Sequence, residues 1–209
     1  MKNYFRKLLG PRTLSVLGTV AVLAGAYLAY MAEQGNFHAI TPDVAYRSAQ
    51  LDRDELEHYI RKYDIRTVLN LRGSHPGKEW YDEELRTCRN LDVEHCDIGL
   101  SAVETPSEGD VRQLLHFMTH APRPVLIHCQ GGADRSGLAA ALWKVVVDGI
   151  SPEKAREQLS IRYGHLPLGP TQAMDRFFEA WIRDHAAANL GDTSREVLLC
   201  GRVGHVDTF

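Results

Sequence analysis

Short apolar runs alternate with longer amphipathic stretches along most of this chain. Pro124-Val125-Leu126-Ile127 is a continuous apolar run and predicts a short strand buried on both faces. Leu91-Asp92-Val93-Glu94-His95-Cys96 predicts a further strand. Helices are predicted between them. Asp52-Arg53-Asp54-Glu55 pairs an N-cap with an acid three residues on and opens a helix to about Tyr63. After the Pro76-Gly77 turn, Lys78 to Asn90 reads as a helix, and the capping pattern Thr105-Pro106-Ser107-Glu108 opens another, to about His120. Leu138-Ala139-Ala140-Ala141-Leu142-Trp143 predicts a helix that Gly149 closes, Ser151-Pro152 caps the next, and Thr171 begins the last, to about Ala188. Strands alternating with helices predict an α/β fold with a mixed central sheet.

The N-terminus follows a different pattern. Residues 1–12 carry Lys2, Arg6, Lys7 and Arg12 and no acid, and the 20 residues 13–32 carry no charge. At ~1.5 Å per residue, that stretch matches the ~30 Å hydrocarbon core of a bilayer. A cleaved signal peptide would use Ala24-Gly25-Ala26 as its small-residue site. The apolar run continues past that site through Tyr27, Leu28, Tyr30 and Met31, which favours one uncleaved transmembrane helix. Basic residues before the span and Glu33 after it place the N-terminus in the cytoplasm. The folded domain is then expected outside the cytoplasm, in the periplasm if the source is a Gram-negative bacterium. Residues 33–39 read as a linker, 40–190 as the folded domain and 191–209 as a tail of no evident pattern.

Composition narrows the class. The chain has 209 residues and a formal charge of −3, which suits one domain and argues against a nucleic-acid partner. Among ten histidines, His116 and His120 share a helical spacing, but no third ligand accompanies them, so no metal is expected. The four cysteines are Cys88, Cys96, Cys129 and Cys200. An extracytoplasmic site would expose a reactive thiol to oxidation; Cys88 and Cys96 could be close, but they read as ordinary half-buried residues.

The chemistry concentrates in His128-Cys129-Gln130-Gly131-Gly132-Ala133-Asp134-Arg135-Ser136-Gly137. This stretch lies between a predicted strand and a predicted helix N-terminus, where free N–H groups and the helix dipole favour anions. The same field, with Arg135, favours the thiolate of Cys129, the reactive form of the thiol. Gly131, Gly132 and Ala133 let the backbone approach a ligand, and Gln130 and Asp134 complete the loop. Arg135 offers a planar fork for two phosphate oxygens. Ser136 can hydrogen-bond the sulfur and help it leave. Together these residues specify nucleophilic catalysis through a phosphocysteine.

The loop resembles the His-Cys-x5-Arg-Ser/Thr signature of the cysteine-dependent protein tyrosine and dual-specificity phosphatases. Ala45-Tyr46-Arg47-Ser48-Ala49-Gln50 resembles an early strand of that family's bacterial and fungal branch, and Thr67-Val68-Leu69-Asn70-Leu71-Arg72 resembles the buried strand that follows it. The resemblance runs from about Phe37 to about His185. It implies a dual-specificity-phosphatase-like fold, hydrolysis of a phosphomonoester, no cofactor, and a supporting role for His128 in holding the loop. It also implies a general acid about thirty residues before the cysteine. Asp97, 32 positions upstream, is the candidate, with Glu104 and Asp110 as competitors. Relatives acting on inositol phosphates often carry lysines within the loop. Gln130 and Asp134 in those slots argue against a highly anionic inositol substrate.

The expected substrate is a phosphorylated protein, bearing phosphotyrosine or also phosphoserine and phosphothreonine. A membrane-attached enzyme could instead take a small or lipid phosphate such as a phosphatidylglycerol phosphate. A non-catalytic phosphate-binding scaffold and a rhodanese-like sulfurtransferase are the rivals of other classes, and Arg135-Ser136 with the upstream aspartate argues against both.

Overall fold

The computed structural model describes residues 10–191. In chain order the elements are α1 (Pro11–Glu33), β1 (His38–Thr41), β2 (Ala45–Ser48), α2 (Arg53–Tyr63), β3 (Thr67–Asn70), α3 (Glu79–Asn90), β4 (Glu94–Asp97), α4 (Glu108–His120), β5 (Val125–His128), α5 (Arg135–Val146), α6 (Pro152–Ala155) and α7 (Gln172–Gly191). Three 3-10 turns, Arg156–Gln158, Ile161–Tyr163 and Gly169–Thr171, connect α6 to α7.

The five strands form one mixed sheet in the order β1-β2-β5-β3-β4. β1 runs antiparallel to β2, and the other neighbours are parallel. The predicted mixed sheet with flanking helices is therefore present. Its inner strands are buried on both faces because helices cover both. One face packs Ala45, Leu69 and Ile127 against α4, α5 and α7, and the other packs Tyr46, Val68 and Leu126 against α2 and α3. Leu138 to Trp143 of α5 are without solvent exposure, which explains why that helix is apolar all round.

The capping box of α2 forms on Asp52 and Glu55 as the sequence indicates. That of α4 forms two residues later than expected, on Ser107 and Asp110. Ser107 Oγ accepts from the Asp110 amide while the Asp110 carboxylate accepts from the Ser107 amide, so Thr105 and Pro106 stay outside the helix.

α1 is one continuous helix of 23 residues. Its last turn docks on the domain through buried Met31 and a 2.8 Å hydrogen bond from Tyr27 Oη to the Arg162 carbonyl. Val16, Leu17, Val20, Val22 and Leu23 are exposed. Among the described residues, however, no helix is long and apolar enough to cross a membrane. The helix expected over residues 13–32 is present. Gly191 belongs to α7, which runs beyond the expected end at Ala188. The tail from 192 onward, with Cys200, lies outside the described residues.

Candidate active site

Four parallel strands end in one row. Ser48 of β2, His128 of β5, Asn70 of β3 and Asp97 of β4 are register partners across the sheet. The loop from Cys129 to Asp134 leaves this carboxyl edge, the end of a parallel sheet where ligands bind. It passes directly into α5, so the strand, the loop and the helix N-terminus are joined as the sequence indicates.

Within the loop, Cys129 is 2% exposed, and its Sγ lies 3.5 Å from Ser136 Oγ. None of the amides from Gln130 to Asp134 donates to a backbone carbonyl among the described residues. Gly132 has φ +67°, and a Cβ there would stand 2.5 Å from the Ala49 amide nitrogen. Glycine is therefore required for the loop to fold back against β2. Arg135 Nη1 donates to the carbonyls of Leu71 and Leu100 at 3.4 and 3.2 Å, while its Nε is buried without a protein partner. That leaves a guanidinium anchored on one side with a free donor that an oxyanion can occupy.

Three supports lie outside the motif. Arg47 of β2 is completely buried beneath the loop. Its Nη2 donates to the carbonyls of Gly132 and Ala133 at 2.9 Å each, and its Nη1 donates to the Gln158 carbonyl at 2.8 Å. Burial lowers its pKa to about 10 against the opposing pull of Cys129, Tyr163 and Asp134, so it remains a cation at neutral pH. Gly137, in the first turn of α5, makes room for it, since a Cβ there would lie 3.0 Å from Arg47 Nη2. Asn36 donates to the carbonyls of Gly131 and Tyr163 at 3.0 Å each.

The third support is a buried polar cluster behind the nucleophile. His128 Nε2 lies 3.2 Å from the Glu84 carboxylate, which also meets His95 Nε2 at 2.8 Å and accepts from Gln50 Nε2 at 2.6 Å. Burial pushes the Glu84 pKa up, but the His128 charge and the hydrogen bonds from His128, His95 and Gln50 outweigh it and hold the carboxyl well below its usual range. Beside this cluster Arg72 stacks on Trp80 at 3.5 Å and donates to Gln50 Oε1.

Among the anticipated acids, Asp97 ends β4. Its Oδ1 accepts from Asn70 Nδ2 at 2.8 Å and its Oδ2 from Tyr81 Oη. Its links run to that cluster and not to Cys129 or Arg135. Glu104 is exposed on the loop after β4, with its amide donating to Ser101 Oγ, and Asp110 is engaged in the α4 cap. Cys88 and Cys96 are free thiols, as two ordinary residues would be, and burial pushes Cys88 up to about 12. Sequence reasoning missed Arg47, Glu84, Asn36 and His165 as functional residues. For Arg47 the available signal was a charge within a strand whose neighbours are apolar.

The sequence matches, over residues 30–168, a family described as DSP-PTPase phosphatase fused to NAD+ kinase. No curated protein sequence matches the chain. The fold is similar to that of a Cys-to-Ser variant of P. aeruginosa TpbA in complex with phosphotyrosine, at 18% identity and TM-score 0.56 over 76% of this chain and 91% of that one. It is also similar to the core catalytic domain of the S. cerevisiae PP-IP phosphatase Siw14 in complex with citrate, at 21% identity and TM-score 0.54 over 74% and 93%. A variant of Tk-PTP gives 19% identity and TM-score 0.53 over 70% and 97%. At these identities the structural likeness speaks for the fold.

Proposed function

The chain belongs to the DSP-PTPase family of cysteine-dependent phosphatases, and from that premise we propose that it dephosphorylates phosphotyrosine, and also phosphoserine and phosphothreonine, in proteins. The observation that carries this reading is Cys129 beside Ser136 at the base of a loop whose amides and Arg135 Nε remain free. The Cys129 thiolate attacks phosphorus, and the ester oxygen leaves with a proton from the general acid. The loop amides and Arg135 carry the charge of the three equatorial oxygens. Water then attacks the phosphocysteine, the S–P bond breaks, and Ser136 donates to the departing sulfur.

Asp97 is our candidate for the general acid. It stands in the same row as His128, and its side chain is 22% exposed. Two donors, Asn70 Nδ2 and Tyr81 Oη, already occupy its carboxylate, so Glu104 is the control. Asp97→Asn is expected to lower kcat on a phosphotyrosine peptide about 100-fold. The loss on p-nitrophenyl phosphate, whose leaving group needs little protonation, is expected to be smaller. If Glu104→Gln gives that pattern and Asp97→Asn does not, the acid resides on the loop.

Exposed apolar residues favour a second reading for the substrate. Ile161, Leu166 and Leu168 are at least half exposed, close in sequence to the Arg162 carbonyl that receives Tyr27 of α1. With the apolar α1 and its basic flank, they support attachment to a membrane with the catalytic domain outside the cytoplasm. A reporter fused at the C-terminus and active only in the cytoplasm should be silent. A lipid phosphate would then be within reach. Turnover of a phosphotyrosine peptide against dispersed phosphatidylglycerol phosphate by the full chain separates the two. Preference for the peptide supports the protein substrate, and preference for the lipid overturns it.

A further inference from the structure

One buried titratable group touches the phosphate loop and takes no part in the mechanism above. Asp134, the last loop residue before Arg135, places Oδ1 2.7 Å from His165 Nδ1. The other ring nitrogen, Nε2, lies 2.9 Å from Asp175 Oδ2 on α7. The His165 side chain has no solvent exposure, while Asp134 and Asp175 are 26% and 12% exposed. The ring is fixed from its backbone as well, since the His165 amide donates to the Ser160 carbonyl at 3.1 Å.

This arrangement specifies a protonation state. A neutral imidazole donates from one nitrogen only, whereas both nitrogens here face acceptor-only carboxylates. Burial lowers the proton affinity of His165, but the hydrogen bonds and charges of Asp134 and Asp175 more than offset it and raise the pKa above the ordinary histidine value. The groups facing the ring are Asp134 from the loop and Asp175 from α7. On the far side of the loop, Arg47 holds the Gly132 and Ala133 carbonyls, and Tyr163 stacks beneath its guanidinium at 4.5 Å.

A carboxylate inside an anion-binding loop opposes the ligand for which the loop is shaped. An imidazolium on that carboxylate removes the conflict and ties the loop to α7. We propose that His165 is a positioning residue for the phosphatase reaction: as an imidazolium it neutralises Asp134 and fixes the loop so that a phosphoryl dianion can enter. The proposal rests on the loop being the phosphate site.

Tungstate, a competitive oxyanion that keeps its charge between pH 6 and 9, is a suitable probe. His165→Gln approximates the volume and keeps one donor nitrogen without the charge. In this variant the Ki for tungstate and the KM should both rise about tenfold at pH 7, with kcat within about threefold of wild type, as expected for one uncompensated charge at a partly screened site. Adding Asp134→Asn removes the charge that needed a partner and should bring Ki back to within about threefold of wild type. A purely structural role for His165 would not be rescued this way. An unchanged Ki in the single variant, or a double variant as weak as the single, overturns the proposal. Should the variants fail to fold, 15N NMR of the wild-type ring decides: both nitrogens protonated at pH 7 supports it, and a neutral tautomer overturns it. Wild-type protein that neither binds tungstate nor hydrolyses an aryl phosphate overturns the phosphatase reading itself and this proposal with it.

Discussion

Cys129→Ser is expected to abolish hydrolysis of p-nitrophenyl phosphate, with kcat falling by at least about 1,000-fold. The reason is the difference between a thiol and an alcohol in the same field. The thiolate is the reactive form of a thiol, whereas an alcohol ionises several units higher and stays protonated near neutral pH. Among the described residues the hydrogen-bonding neighbour of Cys129 Sγ is the Ser136 hydroxyl at 3.5 Å, which is not a base. The substitution exchanges sulfur for a smaller oxygen and leaves Arg47, Gly132 and Arg135 untouched. The loop should therefore keep its shape and still bind inorganic phosphate by calorimetry. Loss of turnover with retained binding separates nucleophile from cradle. Wild-type activity in this variant would sink the phosphocysteine mechanism. Ser136→Ala acts on the second step, so acid quenching should trap more phosphorylated enzyme than in wild type.

The parts of this site that are legible in the sequence are local. Cys129, Arg135 and Ser136 lie within eight residues, and the strand and helix that hold them are apolar runs on either side. Their order and spacing are set within one strand-loop-helix unit, while the exact shape of the loop depends on Arg47 and Asn36 from elsewhere in the chain. The supports are non-local and give weaker signals. Glu84 sits beside Glu83 in an amphipathic helix and looks like a second solvated acid. It is distinguished by burial against His128 and His95, which arrive from two strands. His165 lies in a stretch rich in glycine and proline with no periodicity, and its meaning depends on Asp134 and Asp175, 31 and 10 residues away. The α4 cap was displaced because Thr105 with Glu108 and Ser107 with Asp110 fit the same pattern, and the reciprocal hydrogen bonds choose between them. The 20 uncharged residues before Glu33 predicted the helix that they form.

Arg47→Met should lower the melting temperature by roughly 6–12 °C, corresponding to about 3 kcal/mol in a chain of this size. Two effects oppose each other. The buried guanidinium is unfavourably desolvated, as its lowered pKa of about 10 reflects, and an apolar replacement removes that cost. Against this, Gly132, Ala133 and Gln158 direct carbonyls at the guanidinium within 2.9 Å, and Met supplies no donor. Each carbonyl left buried and unpaired costs about 1–3 kcal/mol, so three of them outweigh the relief. Arg47→Lys tests the geometry separately from the charge. An ammonium lacks the planar fork that spans the loop carbonyls and the Gln158 carbonyl together, and the space left by Gly137 is shaped for the guanidinium. Lys should retain part of the stability yet lower kcat/KM by about 100-fold, because a loop displaced by a fraction of an ångström no longer aligns Cys129 with phosphorus. Thermal melts paired with steady-state kinetics separate the two substitutions. If Arg47→Met melts and turns over like wild type, the loop holds its shape through Gly132 and Asn36 alone, and Arg47 is a tolerated buried charge.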